Sequence, residues 1–161
     1  EMIPRTQMTV GYAKLEKIVN DASGHFNELS AAIKEREKRM AEIQVLRTHI
    51  INYMKTKEVY ASYRKSGYSK KFLEAHRQEI LLHKAAKKAF DELGVKKLPK
   101  VKELNAEFAE LNAEKKQLFI EYRQAKKDMQ DYQRAKYDID QFLKEDEERN
   151  KSKNKHREIS L

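Results

Sequence analysis

The chain has 161 residues and no cysteine, and 35 Lys plus Arg against 26 Asp plus Glu give a formal net charge of +9. Only four Gly and two Pro are present, too few for an all-β sandwich or barrel, which needs turn residues about every 8–12 positions. A doubly wound α/β fold is excluded because no Val- and Ile-rich runs alternate with turn signals, so long helices with few interruptions remain. Without cysteine neither a disulfide framework nor a thiolate metal site can form, which agrees with a reducing cytoplasm. No apolar run approaches the ~20 residues that span a bilayer, and Glu1-Met2-Ile3-Pro4-Arg5 holds no signal core. The chain also lacks an initiator Met and is expected to be a piece of a longer protein.

Residues 1–8 read as a lead-in. Thr9 is the expected N-cap of a first helix over 9–65, and Gly67 is its expected stop, since glycine adopts the left-handed C′ conformation without penalty. Gly24 lies inside this helix and marks a candidate kink or break. Ser69 is the expected cap of a second helix over 70–93, with Gly94 as its stop. Phe72, His76, Ile80, His83, Ala86, Phe90 and Leu93 fall on one face of it. The stretch 95–98 is expected to be extended ahead of Pro99, which opens a third helix over 99–143. Residues 144–161, with no apolar side chain before Ile159, are expected to form a charged, disordered tail.

The two long segments carry a 3.5-residue repeat. Leu15, Val19, Ala22, Phe26, Leu29, Ile33, Arg36, Met40, Ile43, Arg47, Ile50, Met54, Lys57 and Ala61 form one series. Val101, Leu104, Phe108, Leu111, Lys115, Leu118, Tyr122, Ala125, Met129, Tyr132, Lys136, Ile139 and Leu143 form the other. Such a seam is the signature of a left-handed coiled coil. It is too narrow to stabilise a lone helix, so each needs a partner. The series span 47 and 43 residues. Matched lengths predict an all-α fold: a long antiparallel coiled-coil hairpin with a short third helix at the tip. The alternative is an up-down-up three-helix bundle. Arg36, Arg47, Lys115 and Lys136 interrupt the seam as candidate register-setting positions for self-association.

The charge is not spread evenly. Residues 1–54 carry 8 basic and 7 acidic side chains, residues 103–161 carry 13 and 14, and residues 55–102 carry 14 and 5. The whole excess therefore belongs to the proposed tip. Arg64, Lys65, Lys70, Lys71, Arg77, Lys84, Lys87, Lys88, Lys96, Lys97 and Lys100 are the candidate DNA-binding residues, because a local excess of cations is the footprint of a polyanion site. Tyr60, Tyr63, Tyr68 and Phe72 are interleaved with them. They serve either as packing for the tip or as platforms for unpaired bases. The bland reading of the lysines is a solvated helical surface, and an acidic protein is a further candidate partner.

No catalytic, metal or cofactor constellation stands out. His76 and His83 are seven apart, whereas two-His metal sites on a helix use a spacing of four with a third ligand close by; a partly buried polar pair is expected instead. No Gly-rich phosphate loop, Ser-His-Asp set or carboxylate pair can be argued, and two polar coils offer no concave pocket for a small-molecule substrate.

The run from His49 through Ile50-Ile51-Asn52-Tyr53-Met54-Lys55-Thr56-Lys57-Glu58-Val59 to Tyr60 leads into Tyr63-Arg64-Lys65-Ser66-Gly67-Tyr68-Ser69-Lys70-Lys71-Phe72, and then Ile80-Leu81-Leu82-His83-Lys84-Ala85-Ala86-Lys87-Lys88-Ala89-Phe90. With Lys97-Leu98-Pro99 and Ala113-Glu114-Lys115-Lys116, this resembles the C-terminal helical region of relaxases (mobilisation nucleases) of conjugative and mobilisable elements of Firmicutes. The resemblance covers roughly residues 12–143 and is most specific over 49–90. It implies a parent enzyme that nicks one strand at a transfer origin through a tyrosine nucleophile, with a divalent metal held by histidines. Those parts belong to an N-terminal nuclease domain, and no residue here matches its His-x-His-type motif or its nucleophile. The resemblance therefore implies a non-catalytic accessory module without a cofactor. Its expected partner is DNA near the transfer origin. Alternatively, the module docks the relaxase to itself, to a mobilisation accessory protein or to the coupling ATPase.

Overall fold

In the computed structural model, which describes residues 5–159, every regular element is helical. They are α1 (Arg5–Lys65), α2 (Lys70–Ala75), α3 (Arg77–Glu92) and α4 (Val101–Ile159). The long helices have 61 and 59 residues. No helix among the described residues is long and apolar enough to cross a membrane. The chain divides into two compact units, Lys34–Lys116 and a second made of Glu1–Ile33 with Gln117–Leu161. Both long helices contribute to each.

The helices are longer than their predicted spans. Residues 5–8 of the expected lead-in are already helical, Thr9 lies inside α1 rather than capping it, and residues 1–4 lie outside the described residues. α1 passes through Gly24 without interruption. Nothing lies within 4 Å of a Cβ built there, so Gly24→Ala is expected to raise unfolding free energy by about 1 kcal/mol, read as a higher urea midpoint. A fall in that midpoint would show that Gly24 serves close packing. α4 begins at Val101, placing Pro99 just ahead of the helix, and it runs through residues 144–159 instead of fraying after Leu143. That segment lacks Gly and Pro, and opposite charges four residues apart support the helix locally, as with Arg149 and Glu145 at 3.9 Å.

In the unit of residues 1–33 and 117–161 the predicted seam is the observed one. Val19, Leu29, Ile33 and Ala125 are buried, and Phe26 stacks on Tyr122 with ring centroids 4.8 Å apart. Tyr12 hydrogen-bonds Asp140, whose carboxylate pushes the phenol up to about 12. Pairing 12 with 140 and 26 with 122 makes the two helices antiparallel. Tyr132 departs from the expected seam, at 40% exposed.

The unit of residues 34–116 is built around Ile43, Leu46, Ile50, Ala86, Phe90 and Leu104, with Tyr53, Val95, Leu98, Val101, Phe108 and Leu111 packed against them. α4 is again antiparallel to α1. Arg36 meets Glu114 at 3.0 Å, Arg39 grips Glu107 through Nε at 2.8 Å and Nη2 at 3.1 Å, and Arg47 donates to Asn105 at 2.7 Å. Lys115 pairs with Glu37 at 3.3 Å. Arg36, Arg47 and Lys115 thus set the register within the chain. The antiparallel pairing also removes the up-down-up alternative.

α3 runs antiparallel to α1 as well, beside residues 53–63, and this third helix shifts the buried face. From Ile43 onward that face follows Leu46, Ile50, Thr56 and Tyr63, all buried, while Met54 of the predicted series is 62% exposed. The heptad series assumes one partner helix; α1 has α3 and α4 here, and its burial follows both.

The turns at either end of α2–α3 are alike. Gly67 N–H donates to Arg64 C=O at 3.1 Å and Tyr68 N–H to Tyr63 C=O at 3.2 Å; Gly94 N–H donates to Asp91 C=O at 3.2 Å and Val95 N–H to Phe90 C=O at 2.9 Å. These are Schellman motifs, each with an apolar contact across the turn. Gly67 (φ +73°) and Gly94 (φ +67°) are left-handed, as their positions predict. Ser69 caps α2, its Oγ accepting from Phe72 N–H at 3.4 Å. The single helix predicted over 70–93 is instead broken at His76 (φ −126°, ψ 33°). Phe72 stacks on Tyr63 while Ile80, His83, Ala86 and Phe90 are buried. The bend lets both groups meet their partners.

Candidate functional site

The basic residues surround an aromatic stack that begins on α1. Tyr53 and Tyr60 are seven residues apart, about two turns or ~10.5 Å along the helix. That spacing admits one flat ring between them. His83 of α3 fills it, at 4.8 Å from Tyr53 and 4.3 Å from Tyr60, tilted by 22° and 18°. Thr56 lies beneath, its Oγ1 3.1 Å from His83 Nδ1. The Thr56 hydroxyl donates its single hydrogen to Asn52 C=O at 2.7 Å. It therefore accepts from His83, which fixes the neutral tautomer with its proton on Nδ1. Burial pushes the imidazole below its ordinary 6.5, and the charges of Lys87 and Arg64 push it the same way.

Around this stack the sequence-predicted cations separate into groups. Lys87 Nζ lies 5.5 Å over the Tyr60 ring and Lys84 Nζ 5.9 Å over the Tyr63 ring. Arg64 on α1 and Lys84 and Lys87 on α3 thus converge on this stack. Both lysines are exposed, and their ammonium groups lie over the ring faces at cation–π distance. Lys65, Lys70 and Lys71 border the α1–α2 turn, and Arg77 opens α3. Lys96, Lys97 and Lys100 belong to the α3–α4 connection, beyond the opposite end of the 16-residue α3, about 24 Å long. All eleven candidates are exposed. Among them only Lys88 has an ion pair within the described residues, with Glu92 at 4.0 Å.

The expected polar pair of His76 and His83 does not form a unit. His83 is 3% exposed within the stack, whereas His76 sits at the helix break against Phe72, with Nδ1 3.7 Å from Glu79. Among the described residues no group of three or more His, Cys, Asp or Glu is placed to hold a metal ion. The tyrosines divide likewise. Tyr63 is 6% exposed and serves packing, while Tyr68 is 55% exposed. Thr56 was missed as a site residue because its partner is 27 positions away, beyond any local pattern. No family model, curated protein or solved structure matches the chain.

Proposed function

We propose that the chain is a helical accessory module of a DNA relaxase, acting in the bacterial cytoplasm during mobilisation of a plasmid or transposon. In this reading its basic segment contacts DNA near the transfer origin, and catalysis belongs to a nuclease domain elsewhere in the parent enzyme. The convergence of Arg64, Lys84 and Lys87 around the Tyr60–His83 stack supports it, because a rigid aromatic base orders cations that would otherwise move independently. Phosphate contacts release counterions, so affinity is expected to fall steeply as salt rises. In a low-salt gel shift the chain should retard DNA, and joint reversal of Lys70, Lys71, Lys84, Lys87 and Lys88 to Glu should abolish the shift. Absence of any retardation by the unaltered chain would end this reading.

A second reading is a protein-interaction coil. It is favoured by the groove in the unit of residues 1–33 and 117–161, where Ile18, Ala22, His25, Ala125 and Tyr132 share a lining and Ile18 and Tyr132 remain 44% and 40% exposed. Sedimentation equilibrium separates this reading in its self-associating form, since the mass of a single chain at every concentration would exclude a second copy as the partner.

A further inference from the structure

Tyr68 is the only non-glycine residue among the described residues with a left-handed backbone, at φ 59°. That conformation is unfavourable for a bulky side chain, and such outliers concentrate where a protein recognises something. Its N–H is fixed by Tyr63 C=O at 3.2 Å. Its ring stands edge-on to Tyr63, with centroids 5.3 Å apart and planes at 86°. Tyr63 is itself held by Phe72, stacked at 6.1 Å, and by the edge of Tyr60 at 6.0 Å. Tyr68 therefore rests on a packed aromatic base with more than half of its surface open. A ring already fixed in place loses little freedom on capturing a flat partner. The eight residues 64–71 around it carry four basic side chains, Arg64, Lys65, Lys70 and Lys71, and no acidic one. All four are exposed.

We propose that the α1–α2 turn is a contact for unpaired nucleic acid, in which Tyr68 stacks on a single-stranded base while Lys65, Lys70 and Lys71 neutralise the adjoining phosphates. Exposed aromatic faces set among cations match a strand whose bases are free, whereas a duplex buries those faces within its own stack. The inference rests on the DNA-binding reading and narrows it to the single-stranded form.

The test is fluorescence anisotropy of the 161-residue chain at low salt, with a labelled oligo(dT) of about 20 nucleotides, longer than one stacking site, and a duplex of equal length. The single strand should bind about tenfold more tightly. Tyr68→Phe should keep that preference. Tyr68→Ala should lose roughly tenfold on the single strand and little on the duplex, with circular dichroism unchanged. Joint Lys70→Glu and Lys71→Glu should weaken both. Equal affinity for the two forms, or an equal loss on both with Tyr68→Ala, would overturn the single-strand assignment while leaving DNA binding intact. No binding to either form would overturn both. Tighter binding of polyglutamate of matching charge than of oligo(dT) would reassign the turn to an acidic protein.

Discussion

Ile43→Ala is expected to lower unfolding free energy by about 2–5 kcal/mol, whereas Met54→Ala should change it by less than about 0.5 kcal/mol. Both residues occupy positions of the same 3.5-residue series, so the repeat alone predicts similar costs. Ile43 is fully buried against Leu46, Ile50, Ala86, Phe90 and Leu104, and removing its side chain leaves a cavity bounded by several elements. Met54 is 62% exposed and leaves no void. Urea denaturation of the two variants measures the difference. Equal losses would mean that the α1 face follows its heptad into the α3 region, contrary to the packing described.

Thr56→Val should cost about 1–3 kcal/mol, because the buried His83 Nδ1–H then loses its acceptor. Thr56→Ser keeps the hydroxyl and should cost distinctly less. The same histidine gives stability a pH dependence. Its folded-state pKa is depressed below 6.5, so the unfolded chain takes up its proton first as pH falls. The stability present above about pH 6.5 is therefore lost progressively as pH drops from there through the lower folded-state pKa, and the loss levels off below it. Denaturation midpoints at pH 7.5 and 5.5 should reveal this fall, and His83→Gln should reduce it. A His83→Gln variant with an undiminished pH dependence would place the titration on another group.

Much of the molecule was legible in one dimension because helix formation and termination are local. The scarcity of Gly and Pro, the cap at Ser69 and the stops at Gly67 and Gly94 each act within a few residues of their own position, and they have the roles their spacing predicts. The same holds for Val19, Leu29, Ile33 and Ala125, since with one partner helix a 3.5-residue period identifies the buried stripe directly. The highly charged segment 144–159 is helical rather than disordered: its lack of apolar residues before Ile159 hides strong helix formers with (i, i+4) opposite charges.

The candidate site was legible only as composition. The sequence places fourteen basic residues between positions 55 and 102, but not which of them meet. That is decided when α3 folds back on α1: His83 enters the gap between Tyr53 and Tyr60, Thr56 becomes its acceptor, and Lys84 and Lys87 are carried over the Tyr63 and Tyr60 rings. The break at His76 and the departure of Met54 from the core follow from the same event. A helical period specifies which residues share a face, while the partner that covers it, 27 positions away in the case of Thr56 and His83, is selected by the path of the returning chain.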